Sequence, residues 1–281
     1  MNHPRLGCVK YLNARPLIHG WPGEITFDHP AALCAQLAHG DLDVALVSSF
    51  EFLRNPIYRI VDGISISSDG PVYSVIVAYR DEIADLEQIE IDPASQTSAN
   101  LLRCLVAELR NTDLQSVRPA EFYSSEHAPE QSSTGRTGDT PVFRCRLLIG
   151  DQAIRFRQEH ADEFQFWDLG EAWKQLIDIP FVYALWLIRP EVTNPKLIAN
   201  RLRALRDENL ANLDRLIGSV VAGGVDTGGS QQFDASFCAR YFRNHIRFDF
   251  GEREKEGLAA FARLCAKHGL LPKRELPFEL V

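Results

Sequence analysis

Short apolar segments alternate with helical patterns along most of the chain. Runs rich in β-branched and aromatic residues predict strands, whereas segments with helical periodicity, several of them bounded by Pro or Gly, predict helices. The predicted strands are Arg5–Val9, Glu24–Asp28, Asp43–Val47, Val72–Tyr79, Gln88–Ile91, Arg146–Ile149, Phe164–Trp167 and Phe181–Ile188. The predicted helices are Pro30–Gly40, Ser48–Asn55, Thr97–Arg110, Asp151–His160, Leu169–Ile177, Asn194–Ile217, Asp234–His245 and Arg253–His268.

This alternation indicates an α/β fold with many parallel strands. A length of 281 residues suits two lobes or one large domain. Two β-rich blocks favour two lobes: residues 1–80 plus 189–281 form lobe 1 with a helical tail, and residues 81–188 form lobe 2. The strands at 72–79 and 181–188 are the natural crossovers. A ligand cleft is expected between the lobes, because small-molecule sites often lie there.

Two polar segments interrupt the pattern. Residues 124–141 are rich in Ser, Gly and Pro and predict a surface loop, whose role over the cleft is left open. Residues 223–230 are glycine-rich but match neither a dinucleotide-binding fingerprint nor a phosphate-binding loop. We therefore interpret the second segment as a connector between helices.

Composition and charge exclude several classes of partner. With 38 acidic and 30 basic residues the net charge is −8, and the acidic excess lies in residues 1–200, so binding to nucleic acid or an anionic membrane is not expected. No apolar run approaches the roughly 20 residues that span a bilayer. The six cysteines lack the spacing of a metal site. With no apparent signal peptide, these features predict a cytoplasmic protein without a metal.

Small polar clusters follow four predicted strands, at the point where each strand ends. Ligands of open α/β sheets bind beyond the carboxyl ends of the strands, and helix N-termini there hold carboxylates through free N–H groups. The alternative is that each Ser or Asp simply caps its helix. The candidates for substrate binding are Ser48 and Ser49, Thr97 and Ser98, and Gly150 and Asp151; Asn13 follows the first strand.

Two further positions have both a structural and a functional interpretation. Ser74 is a small hydroxyl residue within a predicted strand of large apolar residues, so it either serves packing or faces the cleft. Asn13 either adopts a left-handed turn or directs its amide at a ligand. Lys10 and Arg15 flank Asn13 and could add positive charge there, although we expect the side chain of Arg15 to be exposed. Asp168 is expected to cap the helix that contains Trp173.

The ordered motifs together are more specific than any one of them. They are Gly7-x-Val-x-Tyr-Leu-Asn13-x-x-Pro16-Leu17, the segment from Gly40 to Phe52 containing Ser-Ser-Phe-Glu, Ser67-Ser-Asp-Gly-Pro-Val72, Asp92-Pro-Ala-Ser-Gln-Thr-Ser98, Leu148-Ile-Gly-Asp-Gln-Ala153, Asp168-Leu-Gly-Glu-Ala-Trp173 and Pro180-Phe-Val-Tyr-Ala-Leu-Trp186. Over residues 5–190 the chain resembles the chorismate dehydratase family of the futalosine route to menaquinone.

The resemblance implies a two-lobed fold like that of type 2 periplasmic binding proteins. It also implies that chorismate is the substrate and that it is converted to 3-[(1-carboxyvinyl)oxy]benzoate and water. Because aromatisation drives this reaction, no metal or other cofactor is expected. Two alternatives are a 1,4-dihydroxy-6-naphthoate synthase of the same pathway and a non-catalytic protein that binds small anions.

In the family, the residues that match Asn13 and Ser74 lie beside the reacting ring carbons, which implies a catalytic role for both. Neither an amide nor an isolated serine is a base at neutral pH. We expect both side chains to orient the substrate and to stabilise the leaving hydroxyl. The identity of the base is left open, with the substrate's own enolpyruvyl carboxylate as the candidate.

Overall fold

The computed structural model describes residues 4–80, 88–91, 96–111, 121–124, 145–222, 233–275 and 277–281. The predicted connector at 223–230 and residues 125–141 of the predicted surface loop lie outside these ranges, as do residues 92–95 of one family motif. Within the described ranges the strands form two sheets of five strands each.

The first sheet combines parallel and antiparallel strands in the order β2-β1-β3-β10-β4. Its strands are β1 (Leu6–Cys8), β2 (Ile25–Phe27), β3 (Val44–Ser48), β4 (Arg59–Ser68) and β10 (Phe181–Ile188). Strand β1 is parallel to β2 and β3, while β10 is antiparallel to β3 and β4. Strand β4 is absent from the prediction because serines and a glycine dilute its apolar pattern, although Ser65, Ser67 and Ser68 are buried.

The second sheet has the order β7-β6-β8-β5-β9. Its strands are β5 (Val75–Tyr79), β6 (Gln88–Ile91), β7 (Glu121–Ser124), β8 (Cys145–Ile149) and β9 (Gln165–Asp168). Strand β5 runs antiparallel to β8 and β9, and β6 runs parallel to β7 and β8. The sequence did not predict the short strand β7.

Sheet membership differs from the predicted lobe boundaries by one strand on each side. The boundaries at residues 80 and 188 place β5 in lobe 1 and β10 in lobe 2, but β5 pairs with β8 and β9, and β10 pairs with β3 and β4. The chain therefore changes sheet between β4 and β5, and changes back between β9 and β10. The apolar pattern of a strand does not show which sheet it joins, since both sheets bury such strands.

Helices follow most strands, as the alternation predicted. They are α1 (Arg15–Ile18), α2 (Pro30–His39), α3 (Ser49–Arg54), α4 (Gln96–Asn111), α5 (Gly150–Glu159) and α6 (Leu169–Ile177). The tail contains α7 (Pro195–Ala211), α8 (Leu213–Ala222), α9 (Ala235–Arg240) and α10 (Glu252–Lys267). The prediction joined α7 and α8, which separate at Asn212, and it extended α9 through the π-helical turn Tyr241–His245.

An aromatic cluster joins the tail to the first sheet. Trp173 of α6, Phe181 of β10 and Phe261 of α10 pack edge to face, with ring centroids 5.0 to 6.2 Å apart. Such pairs add to the stabilisation that comes from burying their apolar surface. Among the described helices, none combines the length and apolar character needed to cross a bilayer.

Helix α10 approaches the chain so closely at Gly257 that a side chain has no room. A Cβ atom at this position would lie 1.9 Å from the carbonyl oxygen of Pro180. We expect Gly257→Ala to lower the free energy of unfolding by about 2 kcal/mol, because the backbone must shift. The control is Gly218→Ala in α8, where nothing lies within 4 Å and alanine should raise stability by about 0.5–1 kcal/mol. Urea denaturation measures both, and equal effects would contradict the close contact.

Candidate functional site

A cavity lies between the two sheets and encloses about 630 Å³, including its opening to solvent. Apolar residues of both sheets line it, among them Leu46 and Ile66 from the first sheet and Val75 and Ile149 from the second. Its polar lining consists of residues with side-chain hydroxyl or amide groups, together with Gly150, the first residue of α5: Tyr11, Asn13, Ser48, Ser74, Gln96, Thr97, Ser98 and Tyr183. An apolar wall with a few polar groups is typical of small-molecule sites.

Six of the eight predicted site residues line this cavity: Asn13, Ser48, Ser74, Thr97, Ser98 and Gly150. Two do not. Ser49 is fully buried and donates its hydroxyl to the carbonyl of Val182, 2.7 Å away. Asp151 is buried behind the wall, where its Oδ1 accepts the backbone N–H of Leu12 at 2.8 Å. These two residues are therefore placed to support the wall and not to touch a ligand.

Asn13 owes its position to a short 3-10 turn, Leu12–Ala14. The turn lacks a left-handed residue, so the left-handed interpretation of Asn13 is wrong. The contact between Asp151 and the Leu12 N–H fixes the turn against the start of α5. The Oδ1 atom of Asn13 is buried and has no hydrogen-bond partner among the described residues. An amide with an unused acceptor at a cavity wall is suited to binding a polar ligand group.

Ser74 lies immediately before β5 and not within it, because the strand begins at Val75. The preceding residue, Tyr73, has a φ of 65°, a backbone conformation that is uncommon outside glycine. The backbone carbonyl of Ser74 accepts the N–H of Gly150 at 2.8 Å. Its hydroxyl accepts a hydrogen bond from Tyr241 at 2.7 Å. The residue is thus fixed through both its backbone and its side chain.

The carboxylate of Asp168 maintains the unusual turn before Ser74. It caps α6 as predicted, accepting the N–H groups of Gly170 and Glu171 at 3.0 and 3.2 Å. It also accepts the N–H groups of Val72 and Tyr73 at 3.0 and 2.8 Å. One buried side chain therefore satisfies four backbone donors from two segments that are far apart in the sequence. Charge-assisted bonds of this kind are stronger than neutral ones.

Arg157 completes this arrangement from helix α5. Its Nη1 atom lies 3.5 Å from Asp168 Oδ2, and its guanidinium carbon lies 4.4 Å from the centre of the Tyr73 ring. The cation–π contact adds to the constraint on Tyr73. The segment that leads from the first sheet into the second is therefore held by both polar and aromatic contacts.

Three hydroxyl groups meet where α3 and α4 begin. The Thr97 Oγ1 atom lies 2.5 Å from Ser48 Oγ and 3.3 Å from Ser49 Oγ, and it accepts the N–H of Phe50 at 3.1 Å. Helix α3 is consequently capped by Thr97 and not by the side chain of Ser48, contrary to the capping interpretation. These residues connect the elements on either side of the cavity.

The cavity obtains its electrostatic potential from partial charges on nearby backbone groups. Within the described parts of the chain, no charged side chain lines the cavity wall. The positive potential comes from the first residues of α4 and α5, since free N–H groups at a helix N-terminus attract anions. Such a wall provides hydrogen bonds and partial charges for a small anion, but it contains no strong base. No cluster of three potential metal ligands occurs among the described residues.

Asp151 directly follows Gly150 of the cavity wall, and its carboxyl group is buried. Burial raises its pKa to about 6, although the Leu12 N–H and the charges of Arg155 and Arg15 oppose this shift. Its Oδ2 atom has no hydrogen-bond partner among the described residues. Arg15 was expected to be exposed. The structure instead leaves it half-buried, with its Nε atom fully buried, so this expectation is wrong.

The sequence did not reveal two tyrosines of the site. Tyr183 of β10 lines the cavity and its hydroxyl lies 3.1 Å from Ser68 Oγ. Tyr241 lies in the helical tail, 167 residues beyond Ser74. The sequence signals for Tyr183 are its place in a predicted strand and in the family motif Pro180–Trp186, and neither gives it a role in the site. Nothing in the local pattern around Tyr241 distinguishes it from a packing residue.

Comparisons with known proteins identify the family and the fold. A model described as menaquinone biosynthesis matches residues 4–267. A chorismate dehydratase of Thermus thermophilus is 26% identical over 275 residues, which cover 92% of this chain and 93% of the relative. The family resemblance found in the motifs is thereby confirmed.

Solved structures with low sequence identity share the fold. A protein of Archaeoglobus fulgidus has a TM-score of 0.69 at 17% identity, covering 95% of this chain and 98% of its own. The alkanesulfonate-binding protein of Xanthomonas axonopodis pv. citri has a TM-score of 0.58 at 14% identity, covering 97% and 95%. A Candida albicans protein with the generic periplasmic binding protein fold gives 0.60 at 10% identity, covering 98% and 92%. The predicted α/β, periplasmic-binding-protein-like fold is confirmed.

The four hydrogen bonds accepted by Asp168 lead to a stability prediction. Asp168→Asn places an amide NH₂ group against backbone donors, so we expect the free energy of unfolding to fall by about 2–3 kcal/mol. Asp178→Asn is the matched control, because Asp178 is exposed and left-handed, a conformation that asparagine tolerates, and exposed ion pairs contribute little to stability. Chemical denaturation measures both variants. Equal stability of the two would contradict the role of Asp168.

The raised pKa of Asp151 predicts how stability depends on pH. The pKa of Asp151 is about 6 in the folded protein and about 4 in the unfolded chain. Protonation of Asp151 therefore contributes to the stability of the folded state. This contribution is complete below about pH 4 and is lost as the pH rises through the folded pKa. The advantage of the wild type over Asp151→Asn should therefore shrink by about 2–3 kcal/mol between pH 4 and 7. Urea unfolding across this range tests it, and a constant difference would contradict the shift.

Proposed function

Because the chain belongs to the menaquinone biosynthesis family, whose model matches residues 4–267, we propose that it is a chorismate dehydratase, a hydro-lyase. The observation that supports this most directly is the pairing of Asn13 and Ser74 on the wall of one uncharged cavity. These are the two positions that the family motifs associate with the reacting ring. The Thermus relative, which bears the name chorismate dehydratase, aligns over nearly its full length.

In the proposed reaction, chorismate loses the proton at C3 and the hydroxyl at C4. The electrons of the C3–H bond enter the ring as the C4–O bond breaks, and the departing hydroxyl leaves as water. The product is 3-[(1-carboxyvinyl)oxy]benzoate. The overall change neither consumes nor releases an electron, and the aromatic ring that forms supplies the driving force.

The two carboxylates of such a substrate need partners within the cavity. The first residues of α4, including Thr97 and Ser98, offer N–H groups and hydroxyls. The N–H of Gly150 itself is bonded to Ser74, so Gly150 contributes the partial positive charge at the start of α5. Ser48 offers a further hydroxyl, which at present contacts Thr97. Charge-assisted bonds from these donors compensate for the loss of water around the anion.

Asn13 and Ser74 would act on the reacting part of the ring. The serine hydroxyl donates a hydrogen bond to the C4 oxygen as negative charge develops there, and the Asn13 amide orients the ring. Stabilising a developing charge with fixed donors is often the largest contribution to catalysis. The enolpyruvyl carboxylate of the substrate itself takes the C3 proton, since neither Asn13 nor Ser74 is a base, and this proton then passes to the departing hydroxyl, which leaves as water. A cytoplasmic location, supported by six free and buried cysteines, is part of the proposal.

Incubation of the folded protein with chorismate tests the function. We expect a stable aromatic product, identified by absorbance and by mass, with the loss of one water. Intact chorismate after prolonged incubation would contradict the proposal. A parallel incubation with the cyclic futalosine derivative used by 1,4-dihydroxy-6-naphthoate synthases should give no product, and turnover of that compound alone would favour the alternative enzyme.

Substitutions at the two proposed catalytic residues test the site. Asn13→Ala and Ser74→Ala should each lower kcat by about 100-fold, with a much smaller effect on the affinity for product. Ser67→Ala is the control for Ser74→Ala, because Ser67 is equally buried but its hydroxyl contacts the carbonyl of Arg247 outside the cavity. Near-normal turnover of both Asn13→Ala and Ser74→Ala would place the chemistry elsewhere.

A further inference from the structure

Tyr241 connects the helical tail to the proposed catalytic serine. It begins the π-helical turn Tyr241–His245, which directly follows α9, and its side chain is fully buried. Its ring stacks on Phe237, with centroids 5.7 Å apart and planes inclined by 13°. The ring is thus fixed by packing, and its hydroxyl reaches the site from outside both sheets.

The hydroxyl of Tyr241 donates a hydrogen bond to Ser74 Oγ over 2.7 Å, in a fully buried environment. The other neighbour of Ser74 Oγ is the carbonyl of Val72 at 3.5 Å, a distance at which hydrogen bonds are weak. Since Tyr241 uses a lone pair of the serine oxygen, the serine keeps its own proton for another acceptor. The cavity is where Ser74 can find one.

The phenol of Tyr241 is a hydrogen-bond donor at neutral pH. Burial raises the pKa of Tyr241 above its usual range, although the hydrogen bond to Ser74 opposes this shift. The phenol therefore stays protonated and keeps donating to the serine. Tyr241 and Ser74 form one buried hydrogen-bonded pair.

We propose that Tyr241 is a positioning residue for the dehydration, which directs the Ser74 proton at the leaving hydroxyl. This proposal rests on the proposed function, because it acts through the serine that the function uses. Tyr241 does not line the cavity, so its effect on the reaction passes through its hydrogen bond to Ser74. Without the phenol, the serine hydroxyl can rotate towards Tyr241's former position or towards the Val72 carbonyl, and its donation to the substrate is no longer fixed.

Tyr241→Phe tests the proposal, since it removes the hydroxyl and keeps the ring that packs on Phe237. We expect kcat to fall by about tenfold, with KM and the affinity for product within about twofold, because an interaction used in the transition state is lost. In a Ser74→Ala background the same change should have almost no further effect, since coupled residues are not additive. Tyr58→Phe is the control: Tyr58 is also buried, lies outside the cavity wall and should leave kcat unchanged.

The outcomes distinguish this proposal from the proposed function. If the wild type converts chorismate and Tyr241→Phe does so at the same rate, the positioning role is overturned and the function stands. If the wild type leaves chorismate intact, the function fails and the role of Tyr241 fails with it. If Tyr241→Phe lowers kcat by the same factor in the wild type and in the Ser74→Ala variant, coupling through the serine is also overturned. Should Tyr241→Phe not fold, a fluorotyrosine at position 241, which changes the acidity of the hydroxyl and keeps its shape, should change kcat but not KM.

Discussion

The carboxylate of Asp168 is the contact on which the geometry of the site depends. It accepts two backbone N–H groups at the start of α6 and two from Val72 and Tyr73, where the chain leaves the first sheet for the second. Because Ser74 is the next residue, its position follows from this carboxylate and from the positive φ of Tyr73. A buried acid with four donors costs less to bury than one with few, so the fold can place it between the two sheets.

A second constraint is electrostatic. The chain has a net charge of −8, yet the proposed substrate is a small dianion, so long-range attraction does not assist its approach. Binding must come from nearby groups, and the cavity wall contains helix N-termini and hydroxyls in place of charged side chains. Asp151, the acid behind the wall, does not face the cavity. Local donors on the wall therefore make an acidic protein compatible with an anionic ligand.

The sequence predicted most elements correctly because their patterns are local. Strand β3 and helix α2 show clear apolar runs and a proline or glycine at their ends, and the structure places them within a few residues of the prediction. Strand β4 was not predicted, because serine is a polar residue and the strand therefore lacks a clear apolar pattern. In the structure these serines can be buried because the hydroxyls of Ser65, Ser67 and Ser68 donate to carbonyl groups. The lobe boundaries missed the exchange of β5 and β10, since pairing partners are not encoded in the apolar pattern of a strand.

By itself, the sequence determined the α/β alternation, the family, and the polar residues at the strand ends, because these depend on short segments and on motifs in a fixed order. Only the tertiary structure decided which of those residues reach the cavity. In the folded protein Ser49 and Asp151 are buried behind the cavity wall, and Tyr241 donates a hydrogen bond to Ser74, which lies 167 residues earlier in the chain. Hydrogen bonds between distant segments depend on how helices and sheets pack, and no local pattern specifies that packing.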